Sequence, residues 1–148
     1  MKKLVLIIFI CIISVFSFSC KSKDKINPKG VWWWDDTLSD EYLYFAKNNN
    51  VTEIYYCNDS FNENTSKFIN RANSYGIKVY WLAGEYKWLD DSTNLYNKIN
   101  KYVEYQKIYT KFDGIHLDIE PHQSPDFDNN REKYILKLIE LANDLKNT

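Results

Sequence analysis

Asp113-Gly114-Ile115-His116-Leu117-Asp118-Ile119-Glu120-Pro121 is the stretch on which the reading of this 148-residue chain turns. Asp-Gly is a turn signal, and a proline cannot continue a central strand. Between them the residues alternate strictly. Side chains point to opposite faces along a strand, so Ile115, Leu117 and Ile119 share one face and His116, Asp118 and Glu120 share the other. The stretch is therefore expected to run extended from Ile115 to Glu120. Its apolar face should pack under helices, and its two acids should lie at the C-terminal end.

Working outward, the same unit recurs upstream. Gly30 to Trp34 (Gly-Val-Trp-Trp-Trp) is a strand-favouring run, followed by a polar linker and a helix over Asp40 to Asn48 with Tyr42, Leu43, Phe45 and Ala46 at helical spacing. Val51 to Cys57 reads as a second strand and Asn64 to Tyr75 as a second helix, with Gly76 where a C-cap belongs. Ile77 to Ala83 reads as a third strand. A loop from Gly84 to Asp91 then leads into a helix over Ser92 to Phe112, whose apolar face carries Leu95, Ile99, Tyr102, Val103 and Ile108. After the fourth strand, a polar loop from Pro121 to Asn130 precedes a helix from Arg131 to Leu145, with Ile135, Leu138, Ile139, Ala142 and Leu145 inward. Strand–helix alternation predicts an α/β fold with a parallel sheet and right-handed crossovers. A closed (β/α)8 barrel takes eight units and typically ~250 residues. Four units correspond to about half of one.

The N-terminal segment is excluded from that fold. Lys2 and Lys3 precede an apolar run from Leu4 to Phe18, and Ser17-Phe18-Ser19 leads to Cys20. This is the layout of a secretory signal, shorter than the ~20 residues that span a bilayer comfortably. It resembles a bacterial lipoprotein signal, in which the cysteine becomes the lipid-bearing first residue. That resemblance implies a signal peptide over 1–19, a lipidated tether over 20–29 with Cys20 carrying the fatty acyl (palmitate) chains, and a cell-membrane location outside the cytoplasm. Ordinary signal cleavage, or an uncleaved anchor, is the alternative. Cys57 is then the one cysteine of the folded part, so no internal disulfide staples it. The net charge of −1 and the lack of a basic stripe argue against a nucleic-acid partner. Aromatic residues make up 17% of the chain, enough both to fill a core and to offer flat faces to sugar rings.

Two carboxylates at a strand end are costly to keep without partners or a function. In parallel α/β sheets this end is where catalytic groups stand. A carboxylic acid beside a second carboxylate holds its proton to higher pH and can protonate a leaving oxygen. Glu120, nearer the mouth, is the expected acid, with Asp118 assisting it or orienting substrate. The segment resembles the fourth-strand signature of family 18 glycoside hydrolases, Asp-Gly-x-Asp-x-Asp-x-Glu. Asp113, Gly114, Asp118 and Glu120 match, and His116 stands in place of the middle aspartate. Where the family's third strand often has Ser-x-Gly-Gly, this chain has Trp81-Leu82-Ala83-Gly84. The resemblance implies that residues 30–148 form a partial TIM-barrel, glycosidase-like domain. It also implies Glu120 as general acid and Asp118 as the residue that orients a substrate N-acetyl group.

Trp34 and Asp35 at the first strand end, Trp81, Glu85, His116 and His122 are the expected substrate-binding residues, with an extracellular glycan as partner. Core packing is the alternative for each tryptophan. His116, Asp118, Glu120 and His122 could in principle serve zinc or manganese as a metal-dependent hydrolase would. Pro121 should turn His122 away, so no metal is assigned. No cofactor fingerprint is present, and none is expected. A non-catalytic glycan-binding or interaction lipoprotein, or a remnant of a barrel enzyme, is the competing reading. A half-barrel exposes two sheet edges, which a homodimer or a separate C-terminal half-barrel would cover.

Overall fold

The computed structural model describes residues 27–34 and 37–146. The leader, Cys20 and Asp35 lie outside the described residues. Four strands form one parallel sheet in chain order: β1 (Gly30–Trp33), β2 (Glu53–Tyr56), β3 (Lys78–Ala83) and β4 (Gly114–Leu117). Between and after them run α1 (Asp40–Asn48), α2 (Glu63–Ser74), α3 (Thr93–Ile108) and α4 (Arg131–Lys146). The chain is thus an α/β protein of parallel βα units, amounting to half of an eight-unit repeat.

The helices start and stop where local chemistry tells them to. Ser39 caps α1 by accepting the Glu41 N–H, and Asn62 forms a capping box with Thr65 at the start of α2. Both helices end in the same hydrogen-bonded device. Gly76 has φ 76°, its N–H donates to Asn73, and the Ile77 N–H reaches back to Ala72. Asn50 has φ 57°, with Asn50 N–H to Lys47 and Val51 N–H to Ala46. These are Schellman ends, and Gly and Asn are the residues that enter the left-handed region at least cost. Val51 and Ile77 are thereby pulled into the core immediately before their strands.

One face of the sheet carries Trp33, Ile54, Tyr56, Val79, Trp81 and Ala83 into a core closed by Leu43, Phe68, Ile69 and Leu95 from the helices. Each large side chain buried there contributes about 1.5–3 kcal/mol. Many of the aromatic residues go to this layer. Phe61 packs edge-on to Trp81 at 5.3 Å, and Trp81 stacks on Tyr102 at 5.4 Å.

Several expectations need correction. The third helix ends at Ile108, not Phe112. Thr110 N–H donates to Ser66 Oγ, and Tyr109 turns extended, which swings Phe112 into the aromatic core. The fourth strand pairs as far as Leu117, with the Asp118 N–H still bonded to Ala83 O at 3.0 Å. Helix faces expected inward are only partly so. Leu43 and Ala46 are buried in α1, but Tyr42 and Phe45 face solvent. In α4, Tyr134 and Leu141 are buried, Leu138 and Leu145 pack against the core, and Ile135, Ile139 and Ala142 are exposed. Val103 and Ile108 of α3 are exposed as well.

Candidate functional site

The face of the sheet opposite the helices is open. Tyr55 on β2 and His116 on β4 approach to 4.5 Å between ring centroids, across the intervening β3. Strands two apart in a flat sheet lie about 9.6 Å from one another, so these side chains converge over a concave surface. Tyr80 joins them, 5.7 Å from Tyr55. Glycines make the room: a Cβ at Gly30 would fall 2.6 Å from the Tyr55 ring, and one at Gly114 3.2 Å from Tyr80. The Tyr55 hydroxyl donates to Glu53 at 2.7 Å. That bond, with burial and the carboxylate charge behind it, pushes the phenol up to about 12.

At the C-terminal end of the strands, a cleft of about 170 Å³ is lined by Trp34, Cys57, Leu82, Gly84, Glu85, Tyr86, Asp118, Glu120 and Gln123. A neighbouring cleft of about 590 Å³ holds His116 with Trp32, Glu53 and Tyr55, and Trp34 borders both. Four expected site residues, Trp34, Glu85, Asp118 and Glu120, therefore share one cleft. His116 faces the adjoining one. Glu120 is still extended (φ −106°, ψ 92°), which carries its side chain to the same end as Asp118 before Pro121 starts a 3-10 turn.

That turn brings new partners to the acid. Gln123 Nε2 donates to Glu120 Oε2, and His122 Nε2 stands 3.8 Å from Glu120 Oε1. His122 is thus not carried away by Pro121, as the sequence suggested; the turn folds it back. Gln123 was not foreseen, although a side chain three residues past a strand end, in a tight turn, is where such a partner falls. Gly84 was read only as a loop residue. A Cβ there would lie 2.6 Å from the Asp118 carbonyl carbon and closer still to its oxygen. The close approach of the β3 and β4 ends thus requires a glycine.

Trp81 is a correction. It is 0% exposed, lies on the helix-covered face and donates its indole N–H to Asp59 at 3.3 Å, so it cannot meet a substrate. Alternation decides this: Trp81 pairs in register with Tyr56, whereas Leu82 pairs with His116. Asp59 also holds Lys98. Cys57 sits partly buried at the mouth. Burial first, then Asp59, pushes its thiol up, with Lys98 opposing and Asp118 adding to the rise, so it is a poor nucleophile. Asp113, matched to the signature's first aspartate, ties the framework together. Its carboxylate accepts the Val79 N–H at 2.8 Å, and its own N–H donates to Val79 O.

Among the described residues, no group of three or more His, Cys, Asp or Glu side chains is placed to hold a metal ion. No helix among them is long and apolar enough to cross a membrane. Scans against family models, curated proteins and solved structures match nothing. The class is therefore defined by fold and site alone: a parallel βα protein with an acidic, tryptophan-bordered cleft at its strand ends.

Proposed function

We propose that this chain is a glycoside-hydrolase-like lipoprotein, anchored through Cys20 and acting on an extracellular glycan. The observation that carries the reading is that Glu120, Asp118 and the exposed indole of Trp34 line one cleft at the C-terminal end of a parallel sheet. A sugar ring stacked on Trp34 places its glycosidic oxygen toward the acids. Glu120 donates the proton to that oxygen, the step general acid catalysis accelerates by ~10²–10⁴-fold. Asp118, in the same cleft, orients the 2-acetamido group of an N-acetylhexosamine. That group then acts as the internal nucleophile of substrate-assisted hydrolysis. Gln123 and His122 hold and orient Glu120.

The test is reducing-end release from an N-acetylhexosamine oligosaccharide. Glu120→Gln should lower turnover at least about a hundredfold while leaving binding of the same oligosaccharide intact. Unchanged turnover in that variant would end the enzymatic reading. A second reading, glycan binding without hydrolysis, is favoured by the open concave face, where Trp32 and Trp34 are 60% and 65% exposed. It predicts binding without release. Trp34→Ala would then cost about 2 kcal/mol, near thirtyfold in Kd. The anchor is tested separately: fatty-acid incorporation should vanish in Cys20→Ser.

A further inference from the structure

The cleft that holds Asp118 and Glu120 is small, about 170 Å³. Sites that enclose a small organic ligand usually run to ~300–1,000 Å³. A second compartment of about 380 Å³ adjoins it, and Cys57, Leu82, Gly84 and Glu85 line both. The wider cleft on the concave face shares only Trp34 with the first. The acids' cleft therefore continues along the rim of the sheet, past Gly84, more than it does onto the concave face. The second compartment is framed by the ends of β2 and β3, by Trp88 in the 3-10 turn after β3, and by Lys98 on α3. It is built wholly between neighbouring units of the array.

Among the described residues that line this compartment, Lys98 is the one cation. Its ammonium is held in place. Lys98 Nζ donates to Asp59, and Asp59 in turn accepts the indole N–H of the fully buried Trp81 at 3.3 Å. Lys67, Lys87 and Lys107 are also paired with carboxylates, yet their side chains stay 62–69% exposed, against 28% for Lys98. An ammonium carries three N–H donors, and Asp59 Oδ2 takes one. Fixing a lysine beforehand also removes much of the rotamer entropy that its ordering would cost on binding.

Charge separates the two compartments. The first carries Asp118 and Glu120, with no Lys or Arg among its described lining residues, so a ligand carboxylate placed there meets like charge. Glu85, on the shared wall, has the Lys87 ammonium 3.8 Å away. In the second, Asp59 is matched by Lys98, whose remaining donors call for an acceptor. We propose that this second compartment binds the carboxylate of an acidic sugar adjoining the N-acetylhexosamine at Asp118 and Glu120, and that Lys98 is the residue that selects it. The inference rests on the glycan reading of the first cleft and adds the class of substrate: a polymer in which N-acetylhexosamines alternate with carboxylate-bearing sugars. A uronic acid and an amino sugar carrying a lactyl ether both present that group.

The test is titration calorimetry on the full chain carrying Glu120→Gln, in mild nonionic detergent at low salt, so that no turnover is needed. Three tetrasaccharides are compared: N-acetylglucosamine alone, N-acetylglucosamine alternating with glucuronic acid, and N-acetylglucosamine alternating with N-acetylmuramic acid. One of the two acidic chains should bind at least about tenfold tighter than the neutral one, as a charge-assisted hydrogen bond allows, and which of them does so identifies the source of the carboxylate. Adding Lys98→Met should abolish that preference, and Lys98→Arg should keep most of it. Adding Asp59→Asn should increase it, because the amide oxygen still accepts from Trp81 while the charge opposing the ligand is gone. Two substitutions in one pair that act in opposite directions separate recognition from misfolding. Equal affinity for all three chains, binding by none of them, or a preference that survives Lys98→Met would overturn the inference. Equal affinity would leave the hydrolase reading standing, since that reading falls on unchanged turnover in Glu120→Gln.

Discussion

Replacing Gly84 with alanine isolates the feature that sets the shape of the mouth. The added methyl would stand 2.6 Å from the Asp118 carbonyl carbon and 3.2 Å from its Cα. Ordinary van der Waals contact begins at 3.4 Å, so the carbonyl carbon must retreat by roughly 0.8 Å and its oxygen by more. The obstacle is backbone, so no rotamer relieves it. Inserting a methyl into such a site costs about 1–3 kcal/mol. The Asp118 N–H to Ala83 bond at 3.0 Å lies in the path of the movement, and its loss adds about 0.5–1.5 kcal/mol. Alanine returns about 0.4–1 kcal/mol by stiffening the unfolded chain. The net expectation is a loss of about 2–3 kcal/mol, together with outward displacement of Asp118 and Glu120. Urea unfolding followed by tryptophan fluorescence reads it as a midpoint lowered by about 1–2 M at an unchanged slope. Gly76→Ala is the control. Nothing stands within 4 Å of its Cβ, but φ is 76°, so it should lose about 1–2 kcal/mol from backbone strain alone and leave glycan turnover at the mouth intact. If Gly84→Ala unfolds within about 0.5 kcal/mol of wild type, the close approach of β3 and β4 is not as described, and the cleft built on it falls too.

At Asn50, whose φ of 57° ends α1, valine should destabilise by about 1–2 kcal/mol while glycine is tolerated; equal effects would refute the left-handed cap. The Tyr55 phenol is pushed up to about 12, first by its hydrogen bond to Glu53 and then by burial. In Glu53→Gln its phenolate should therefore appear closer to pH 10 in an ultraviolet titration, with Tyr105, pushed up to about 12 mainly by burial, as the unmoved reference. A phenol raised on folding gives stability that is complete below pH 10 and lost as pH climbs toward 12, so the mutant should show a shallower alkaline loss. Asp126 is held below the usual carboxylate range first by the Tyr134 hydroxyl and then by Ser124. Tyr134→Phe should raise that carboxyl in a carbon-NMR titration. It should also flatten the loss of stability seen as pH falls through the lowered value.

The sequence was legible where periodicity and termini are local matters. Strand alternation located β1 to β4 within a few residues, and the Gly76 cap fell where the pattern put it. The face assignment of 115–120 carried over to the acids because period 2 leaves no freedom once a strand is granted. Illegible were properties that depend on two segments meeting. Nothing local says that Gly84 lies under the Asp118 carbonyl, that Gln123 turns back on Glu120, or that Ser66 claims the Thr110 N–H and stops α3 early. Trp81 went astray for a simpler reason. Its type suggested a sugar platform, while its register beside Tyr56 and Ile115 put it under the helices.

The remaining mismatch is systematic, and that gives it physical content. Tyr42, Phe45, Val103, Ile108, Ile135 and Ile139 carry core periodicity but stand in solvent. Such residues fall on α1, α3 and α4, whereas α2 has none. In a repeating βα array each helix buries one flank against the sheet and another against the next helix. A helix at the end of the array keeps the pattern and lacks the neighbour. Tyr42 and Phe45 on α1 and Ile135 and Ile139 on α4 stand on helices of this kind, whereas Val103 and Ile108 stand on α3, inside the array. On this argument the apolar period of a helix marks the flanks it can offer to neighbours, not the flanks that these four units cover.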